Sequence, residues 1–222
     1  EPLILRRDQS YIGVVIDDLV TKGTTEPYRL LSSRAEFRLL MRHDNADLRL
    51  TDIGYKLGLI SEERYKAFTE KKVGIAKVIE VLDRVYLGKT KAVEAYVTSI
   101  GFNELKGGIL ASELLKRPGV QYKEIAKFIP ELKDLELSDD TIEEIEVIVK
   151  YEGYITREIQ DVARFMKMEE KRIPEDIKYD DVPSLRIEAK QKLSKIRPAS
   201  IGQAGRISGV SPAEAPHKWS FP

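Results

Sequence analysis

The feature that most constrains the fold is a long segment with helical periodicity in the second half of the 222-residue chain. It begins at Ser138-Asp139-Asp140, which is typical of a helix N-terminus, and could continue to Arg172. Gly153 lies inside it, so we expect a break or a close approach near Tyr151–Tyr154. The apolar residues recur at intervals of three and four and so share one helix face. They are Ile142, Ile145, Ile148, Val149, Ile155, Ile159, Val162 and Met166. This stripe is expected to be core, with a docked partner helix as the alternative.

Further helices are expected on both sides of this segment, so the sequence predicts a mainly α, multi-helix fold. A long helix should start at Ser61 and run to about Leu87. A shorter one should be capped by Thr51 and end at Leu57, and Tyr11–Val20 fits either a helix or a strand. The remaining predicted helices are Ala92–Thr98, Ile109–Lys116, Tyr122–Ile129, Leu185–Leu193 and one capped by Ser200 with Gln203.

The stretch from residue 26 to residue 51 carries five arginines among regularly placed apolar residues, and two backbone structures fit it. Ser33 followed by Glu36 is a capping box, which favours a helix. The alternation of apolar and charged residues that follows instead suits a half-buried strand. Both alternatives stay open from the sequence.

In a strand, residues four apart share a face, and in a helix they nearly do, so Arg34, Arg38 and Arg42 are expected to point together. A row of guanidinium groups suits phosphate or carboxylate, because each offers a planar fork of donors that stays charged. The alternative is a structural ion network. Its acidic members would be Glu26, Glu36, Asp44 and Asp47.

Formal net charge is zero, but the charges are segregated along the chain. Residues 131–181 hold 17 acidic and 8 basic residues, a net charge of −9, whereas residues 53–130 and 182–222 each carry +5. Basic regions of this kind suit a polyanionic partner. The acidic block is explained by the solvent face of an amphipathic helix.

The sequence also lacks the residues for several kinds of chemistry. Cysteine is absent, which excludes disulfides, thiolate nucleophiles and thiolate metal sites. His43 and His217 are far apart and have no companions at metal-ligand spacing, so no metal is expected. No glycine-rich dinucleotide fingerprint follows a predicted strand. The carboxylates of Asp17 and Asp18 are adjacent and should diverge, which argues against acid–base work. We therefore expect a chain that does not catalyse alone.

Leu185–Pro212 is expected to form three short helices with glycine-bearing turns, a pattern found in small nucleic-acid-binding hairpins. A protein-docking bundle fits equally well, because no aromatic residues for base stacking are interleaved. Ser211-Pro212-Ala213-Glu214 is a well-formed helix start, yet Pro216 follows almost at once. The basic residues of this region are Lys190, Lys192, Lys195, Arg197 and Arg206.

The arginine-rich stretch, EPYRLLSSRAEFRLLMRHDNADLRLT, resembles a signature of the GidA/MnmG family, and the likeness extends over nearly the whole chain. Upstream, YIGVVIDDLVTKGTTEPYR (Tyr11 to Arg29) continues it without a break. Tyr151–Ile155 (YEGYI) and KLSKIRPASIGQAGRISGVSP (Lys192 to Pro212) match as well. Members are the flavoprotein subunits of the bacterial machinery that modifies the wobble uridine of certain tRNAs. In the family an apolar helix follows Ser211–Glu214, so the terminal bundle of this chain is expected to be incomplete.

The resemblance implies that the whole protein binds FAD and uses NADH and a methylene-tetrahydrofolate carbon donor. It implies a cytoplasmic homodimer that works with a GTPase of the MnmE (TrmE) type. The family's cofactor sites and catalytic cysteines lie upstream of Glu1, so no cofactor is expected on this C-terminal fragment, and no membrane association. Residues 1–52 would be the tail of an α/β flavin domain with its connecting signature, 53–178 a helical domain and 179–222 a terminal helical subdomain.

The resemblance also assigns candidate roles to particular residues. Candidates for contact with tRNA, or for the seam with the flavin domain, are Arg29, Arg34, Arg38, Arg42, Arg49, Lys190, Lys192, Lys195 and Arg197. Candidates for the GTPase-facing motif are Gly202, Gln203, Arg206, Ile207, Ser208 and Gly209. The alternative is a free-standing helical protein–protein interaction module without a nucleic-acid role.

Overall fold

The computed structural model describes residues 3–24, 26–102, 107–183 and 185–210, and these residues form a mainly α fold, which confirms the predicted class. The helices are α1 (Tyr11–Thr21), α2 (Ala46–Lys56), α3 (Glu62–Arg84), α4 (Lys91–Ser99), α5 (Ala111–Leu115), α6 (Tyr122–Ala126), α7 (Asp139–Lys150), α8 (Glu152–Glu170), α9 (Ile187–Ile196) and α10 (Ile201–Arg206). Short 3₁₀ turns cover Ser32–Arg34 and Tyr179–Asp181. Strands β1 (Tyr86–Leu87) and β2 (Ile109–Leu110) pair antiparallel, Tyr86 opposite Leu110.

The chain divides into two compact units. The central unit comprises Arg42–Thr156, and the terminal unit comprises Glu1–Met41 and Arg157–Pro222. The predicted boundaries at residues 52 and 178 stay a prediction. Among the described residues, no helix is both long enough and apolar enough to cross a membrane.

The central unit has one apolar core, supplied mainly by α3, α5, α6 and α7. Val78 and Leu82 of α3 and Ile145 of α7 are fully buried there. The predicted stripe is therefore core in α7, whereas none of its residues in α8 is buried and Ile159 is 53% exposed. Side chains cap α3 and α7 at their starts. Ser61 accepts a hydrogen bond from the backbone N–H of Arg64, and Ser138 accepts one from Thr141. Both predicted helix starts are therefore confirmed.

The terminal unit has two smaller apolar clusters. One is formed by α9, α10 and the segments before them, with Tyr179, Ala189 and Leu193 almost completely buried. The other is formed by Val14 of α1 with Ala35 and Met41. Ser200 caps α10 by accepting a hydrogen bond from the N–H of Gln203, as expected. The predicted helix start at Ser211–Glu214 and the rest of the tail lie outside the described residues.

Several expected element boundaries were wrong. Thr51 lies inside α2 instead of capping it, because the helix already begins at Ala46. The long helix ends at Arg84, because the next residues pair as β1 with β2. The expected break in the longest segment is confirmed at Tyr151, between α7 and α8.

The arginine-rich stretch forms neither of the two expected structures. After the 3₁₀ turn Ser32–Arg34, residues 35–45 are turns and bends, and the next helix begins at Ala46. The local pattern is overridden because Ala35 and Phe37 are buried, while Glu36 pairs with Arg7 and Arg42 pairs with Glu144.

Candidate functional site

The centre of the terminal unit is a buried guanidinium, that of Arg7, which is only 3% exposed. Its Nη1 lies 3.0 Å from Asp17 and 2.8 Å from Asp18, and its Nη2 lies 2.8 Å from Glu36. Burial alone would lower the pKa of Arg7, but the bonds to Glu36 and Asp18 outweigh it and raise the pKa. Arg7 therefore stays charged and fixes α1 to the residues around Glu36.

Asp18 accepts from three close donors among the described residues although it is 2% exposed. Besides Arg7, Lys22 lies 2.9 Å from it, the Tyr28 hydroxyl donates to it at 2.9 Å, and Arg34 approaches to 3.8 Å. Burial would raise the pKa of Asp18, but the hydrogen bonds from Lys22, Arg7 and Tyr28 lower it. The carboxylate is a structural anchor that organises the loop after α1.

That loop forms a polar groove of about 850 Å³. The guanidinium of Arg34 lies over the Tyr28 ring, 4.4 Å from its centroid, and Arg29 is exposed. Lys22 lines the groove as well but is paired with Asp18, and among the described lining residues Glu26 supplies the carboxylate. Its described lining residues are Lys22, Gly23, Thr24, Glu26, Pro27, Tyr28, Arg29, Arg34 and Ser208. An excess of positive charge beside an aromatic ring suits a phosphate-bearing ligand.

The other arginines of the stretch are not among the described residues that line this groove, and the regular backbone from which Arg34, Arg38 and Arg42 were expected to point together does not form. Neither the helical period nor the strand period holds between them. Arg38 is exposed in the terminal unit, whereas Arg42 belongs to the central unit. Arg49 donates to the Asn45 side chain and to the backbone oxygen of Arg42, and so it stabilises the start of α2.

Arg42 is part of a buried charge cluster in the central unit. Its guanidinium lies 2.9 Å from Glu144 and 3.0 Å from Asp44. Glu144 is 2% exposed, and its second oxygen, Oε2, is buried without a donor among the described residues. Burial, together with the neighbouring Asp44, raises the pKa of Glu144 to about 7, against the attraction of Arg42. A proton on Glu144 can bridge to Asp44, which otherwise offers only acceptors.

This cluster predicts a pH dependence of the central unit. Because the pKa of Glu144 is higher in the folded chain than the usual 4.5, the folded state holds the proton more tightly. Its stabilisation is complete below pH 4.5 and is lost as the pH rises through about 7. Between pH 5 and pH 8, urea unfolding should show a loss of about 1–3 kcal/mol that the Glu144→Gln variant lacks. Equal pH dependence in both proteins would contradict the assignment.

The predicted basic residues of α9 are mostly occupied within the terminal unit. Lys190 donates to the backbone oxygen of Asp180, and Lys192 donates to Glu188 and to the backbone oxygen of Ser208. Lys195 is exposed and has no ion pair in the described ranges.

Arg197, which follows α9 directly, adopts a left-handed backbone with φ 52°. It donates to the backbone oxygens of Glu175 and Ile177 and so holds the preceding connector in place.

The predicted partner-facing motif, residues 202–209, divides into an inner part that packs within the terminal unit and an outer part that is exposed. Ile207 is buried, and Arg206 lies with its guanidinium against Asp17, at 3.0 Å, and against Glu169. A Cβ on Gly202 would overlap the Glu169 carboxylate, so a larger residue here would displace that side chain from its place beside Arg206. Gln203 is half-buried, and its side chain accepts a hydrogen bond from the N–H of Ala199. The exposed residues are Ser208 and Gly209.

Sequence reasoning missed three residues of the groove and its anchor. Arg7, Lys22 and Tyr28 were not singled out from the sequence. The available signal was the pair Asp17-Asp18 in an otherwise apolar helix, since carboxylates placed there require buried partners. Among the described residues, no group of three or more His, Cys, Asp and Glu could hold a metal ion.

Two sequence profiles match the chain. Residues 62–159 match the tRNA modifying enzyme MnmG/GidA C-terminal helical domain, and residues 161–217 match the MnmG/GidA C-terminal helical bundle. Together they account for most of the chain.

Curated relatives give the same result. The tRNA uridine 5-carboxymethylaminomethyl modification enzyme MnmG of Bacillus cereus (strain ATCC 10987) is 55% identical over 212 residues, 96% of this chain and 33% of that protein. The MnmG of Geobacillus thermodenitrificans is 54% identical over 214 residues, 96% of this chain and 34% of that protein. The chain thus spans about a third of the length of these relatives.

A solved structure is also similar. Aquifex aeolicus GidA, in its form II crystal, superposes with a TM-score of 0.73 at 39% identity, covering 97% of this chain and 33% of the solved one.

Proposed function

Because the chain belongs to the MnmG/GidA family, of which it represents the C-terminal helical region, we propose that it is the recognition region of a tRNA wobble-uridine-modifying flavoenzyme. In this role it contributes to tRNA binding and binds a GTPase partner of the MnmE type. It is not catalytic alone. FAD, NADH and methylene-tetrahydrofolate, as well as homodimer formation, belong to the full-length enzyme, which we propose acts in the cytoplasm.

The observation that carries the tRNA proposal is the groove after α1. Three cations, Lys22, Arg29 and Arg34, line it against one carboxylate. Arg34 is held by its stacking on Tyr28, so its guanidinium is oriented before a phosphate arrives. Arg38 is exposed as well. The ion pairs and hydrogen bonds of Arg42 and Arg49 favour structural roles for those two residues.

For the GTPase partner, the outer part of the α10 motif is the better candidate. Ser208 and Gly209 are exposed directly after α10, and Lys192 holds that turn by donating to the Ser208 backbone oxygen. We propose that Arg206, Ile207 and Gly202 act through the packing that presents this turn.

Charge reversal in the groove tests the tRNA proposal. Arg29→Glu with Arg34→Glu should weaken tRNA binding at least about tenfold at 0.1 M salt, since two phosphate contacts are lost. The slope of log affinity against log salt should fall by about 0.7–0.9 for each contact. The unfolding midpoint should hardly change, because Arg29 has no ion pair among the described residues and Arg34 only a 3.8 Å approach to Asp18.

The matched control reverses two exposed cations elsewhere, Arg64→Glu with Lys91→Glu, which changes the net charge by the same amount. If both double variants lose affinity equally, binding depends on overall charge and not on the groove. If the unmodified chain binds tRNA no better than a neutral protein and binds without salt dependence, a protein–protein interaction module explains it better.

A further inference from the structure

A second groove, of about 330 Å³, lies along α7 in the central unit. Gln121 and Lys123, at the start of α6, line it, and Tyr151 lines it directly after α7. The lining residues of α7 itself are spaced as on a single face of the helix, which is not the face that faces the core. They are Asp139, Ile142, Glu143, Glu146, Val147 and Lys150.

The apolar part of this α7 groove leads to a pair of exposed tyrosines. Ile142 and Val147 are half-buried, whereas Tyr151 is 47% and Tyr154 65% exposed, with ring centroids 6.4 Å apart. Exposed tyrosines beside apolar side chains are typical of protein interfaces, where they anchor the partner. Gly153 lowers the helix propensity of α8, yet a Cβ there would meet nothing within 4 Å. No described contact requires this glycine, and its bare backbone allows another chain to approach closely.

The charges around the α7 groove leave an acidic excess. Both lysines of the lining are already paired, Lys123 with Asp139 at 2.7 Å and Lys150 with Glu146 at 2.5 Å. Glu143 is exposed and has no ion pair in the described ranges. Helix α7 as a whole carries five acidic residues and one lysine. A surface of this sign repels phosphate and attracts a basic segment.

We propose that the α7 groove is a docking site for a basic amphipathic helix of another protein. Its apolar residues contact Val147 and Tyr151, and its cations pair with Glu143. The backbone groups of α7 are already bonded within the helix, so an extended segment finds no strand edge to pair with here. A docked helix needs only regularly spaced apolar anchors, which α7 offers over about three turns.

The acidic excess also favours this occupant over two others. A second copy of the chain that docked by the same face would bring two acidic surfaces together, and RNA would bring phosphates to them. The inference goes beyond the proposed function, because the groove after α1 and the turn after α10 both belong to the terminal unit. It therefore stands or falls independently of tRNA binding there.

Fluorescence anisotropy with a labelled peptide tests the proposal on the whole chain. The probe is a peptide of about 16 residues, or about four helical turns, with leucine on one face and lysine on the other. Its controls are a scrambled peptide of the same composition and a peptide with glutamate in place of lysine. The probe should bind at least about tenfold more tightly than either control. No binding of the probe, or equal binding of the scrambled peptide, would overturn the proposal.

Two double variants locate the binding. Glu143→Lys with Tyr154→Ala should weaken binding of the probe at least about tenfold, because it removes the free carboxylate and an aromatic anchor. The matched control is Glu63→Lys with Tyr86→Ala, which makes the same exchanges at exposed positions of the same unit. It should bind the probe like the unaltered chain, and all three proteins should share one unfolding midpoint. Equal losses in both double variants would overturn the proposal.

The alternative occupants have their own signatures. Sedimentation velocity would detect a second copy as self-association that Glu143→Lys with Tyr154→Ala abolishes. A labelled single-stranded RNA would identify nucleic acid as the occupant if that double variant lost its binding and the matched control kept it. Either result would overturn the proposal. With the probe bound, hydrogen exchange should instead show new protection from Asp139 to Tyr151.

Discussion

Arg7→Met is expected to destabilise the terminal unit by about 3–5 kcal/mol, because it removes the cation from a buried ion pair and leaves the carboxylates behind. Asp18 is 2% exposed and would keep only Lys22 and Tyr28 as close partners. Its pKa, now lowered by hydrogen bonds against the effect of burial, should rise. Chemical unfolding followed by hydrogen exchange in α1 measures the loss.

The neighbouring arginine provides the matched control. Arg6 pairs with Asp8 at 2.8 Å, but its side chain is 45% exposed. Arg6→Met should therefore cost no more than about 1 kcal/mol. Because the stabilisation by the Asp18 carboxylate is present above its usual pKa and lost as the pH falls, the difference between the two variants should shrink in acid. Equal losses for Arg6→Met and Arg7→Met at neutral pH would show that burial of Arg7 contributes nothing.

The sequence correctly predicted the helices whose apolar periodicity is sustained over many residues and whose starts carry a capping side chain. Ser61, Ser138 and Ser200 all cap the helices expected of them, because an N-cap is a local hydrogen bond that depends on a few adjacent residues. The break at Tyr151 was predicted for the same local reason, a glycine within a helical pattern. The end of α3 was not, because the pairing of Tyr86 with Leu110 depends on residues distant in the sequence.

The arginine-rich stretch shows why the candidate site was predicted only in part. Its charged residues are spaced as in a helix or a strand, yet three of them pair with distant partners: Glu36 with Arg7, Arg42 with Glu144 and Asp47 with Lys71. Such long-range pairings leave no periodic signal. The sequence singled out Arg29 and Arg34, which both line the groove. It did not single out Lys22, which also lines the groove and is held there by its ion pair with Asp18.

Gly13→Ala is the second substitution with a large expected effect. A Cβ at this position would lie 2.4 Å from the backbone oxygen of Arg6 and 2.6 Å from that of Leu5. Both are backbone atoms, so no side chain can move aside, and α1 must shift away from the segment that carries Arg7. We expect a loss of about 3 kcal/mol or more, at the upper end of the cost of overpacking. Thermal unfolding and hydrogen exchange of α1 report it.

Gly205→Ala is the control in the same unit, because it also replaces a helical glycine but its Cβ would meet nothing within 4 Å. It should stabilise α10 by up to about 1 kcal/mol through helix propensity alone. If Gly13→Ala lowers the free energy of unfolding while Gly205→Ala raises it, the close contact of α1 with Leu5 and Arg6 is what makes Gly13 necessary. If Gly13→Ala were tolerated as well as Gly205→Ala, α1 would not pack closely against Leu5 and Arg6. That result would also contradict the buried position of Arg7, which follows directly in the chain.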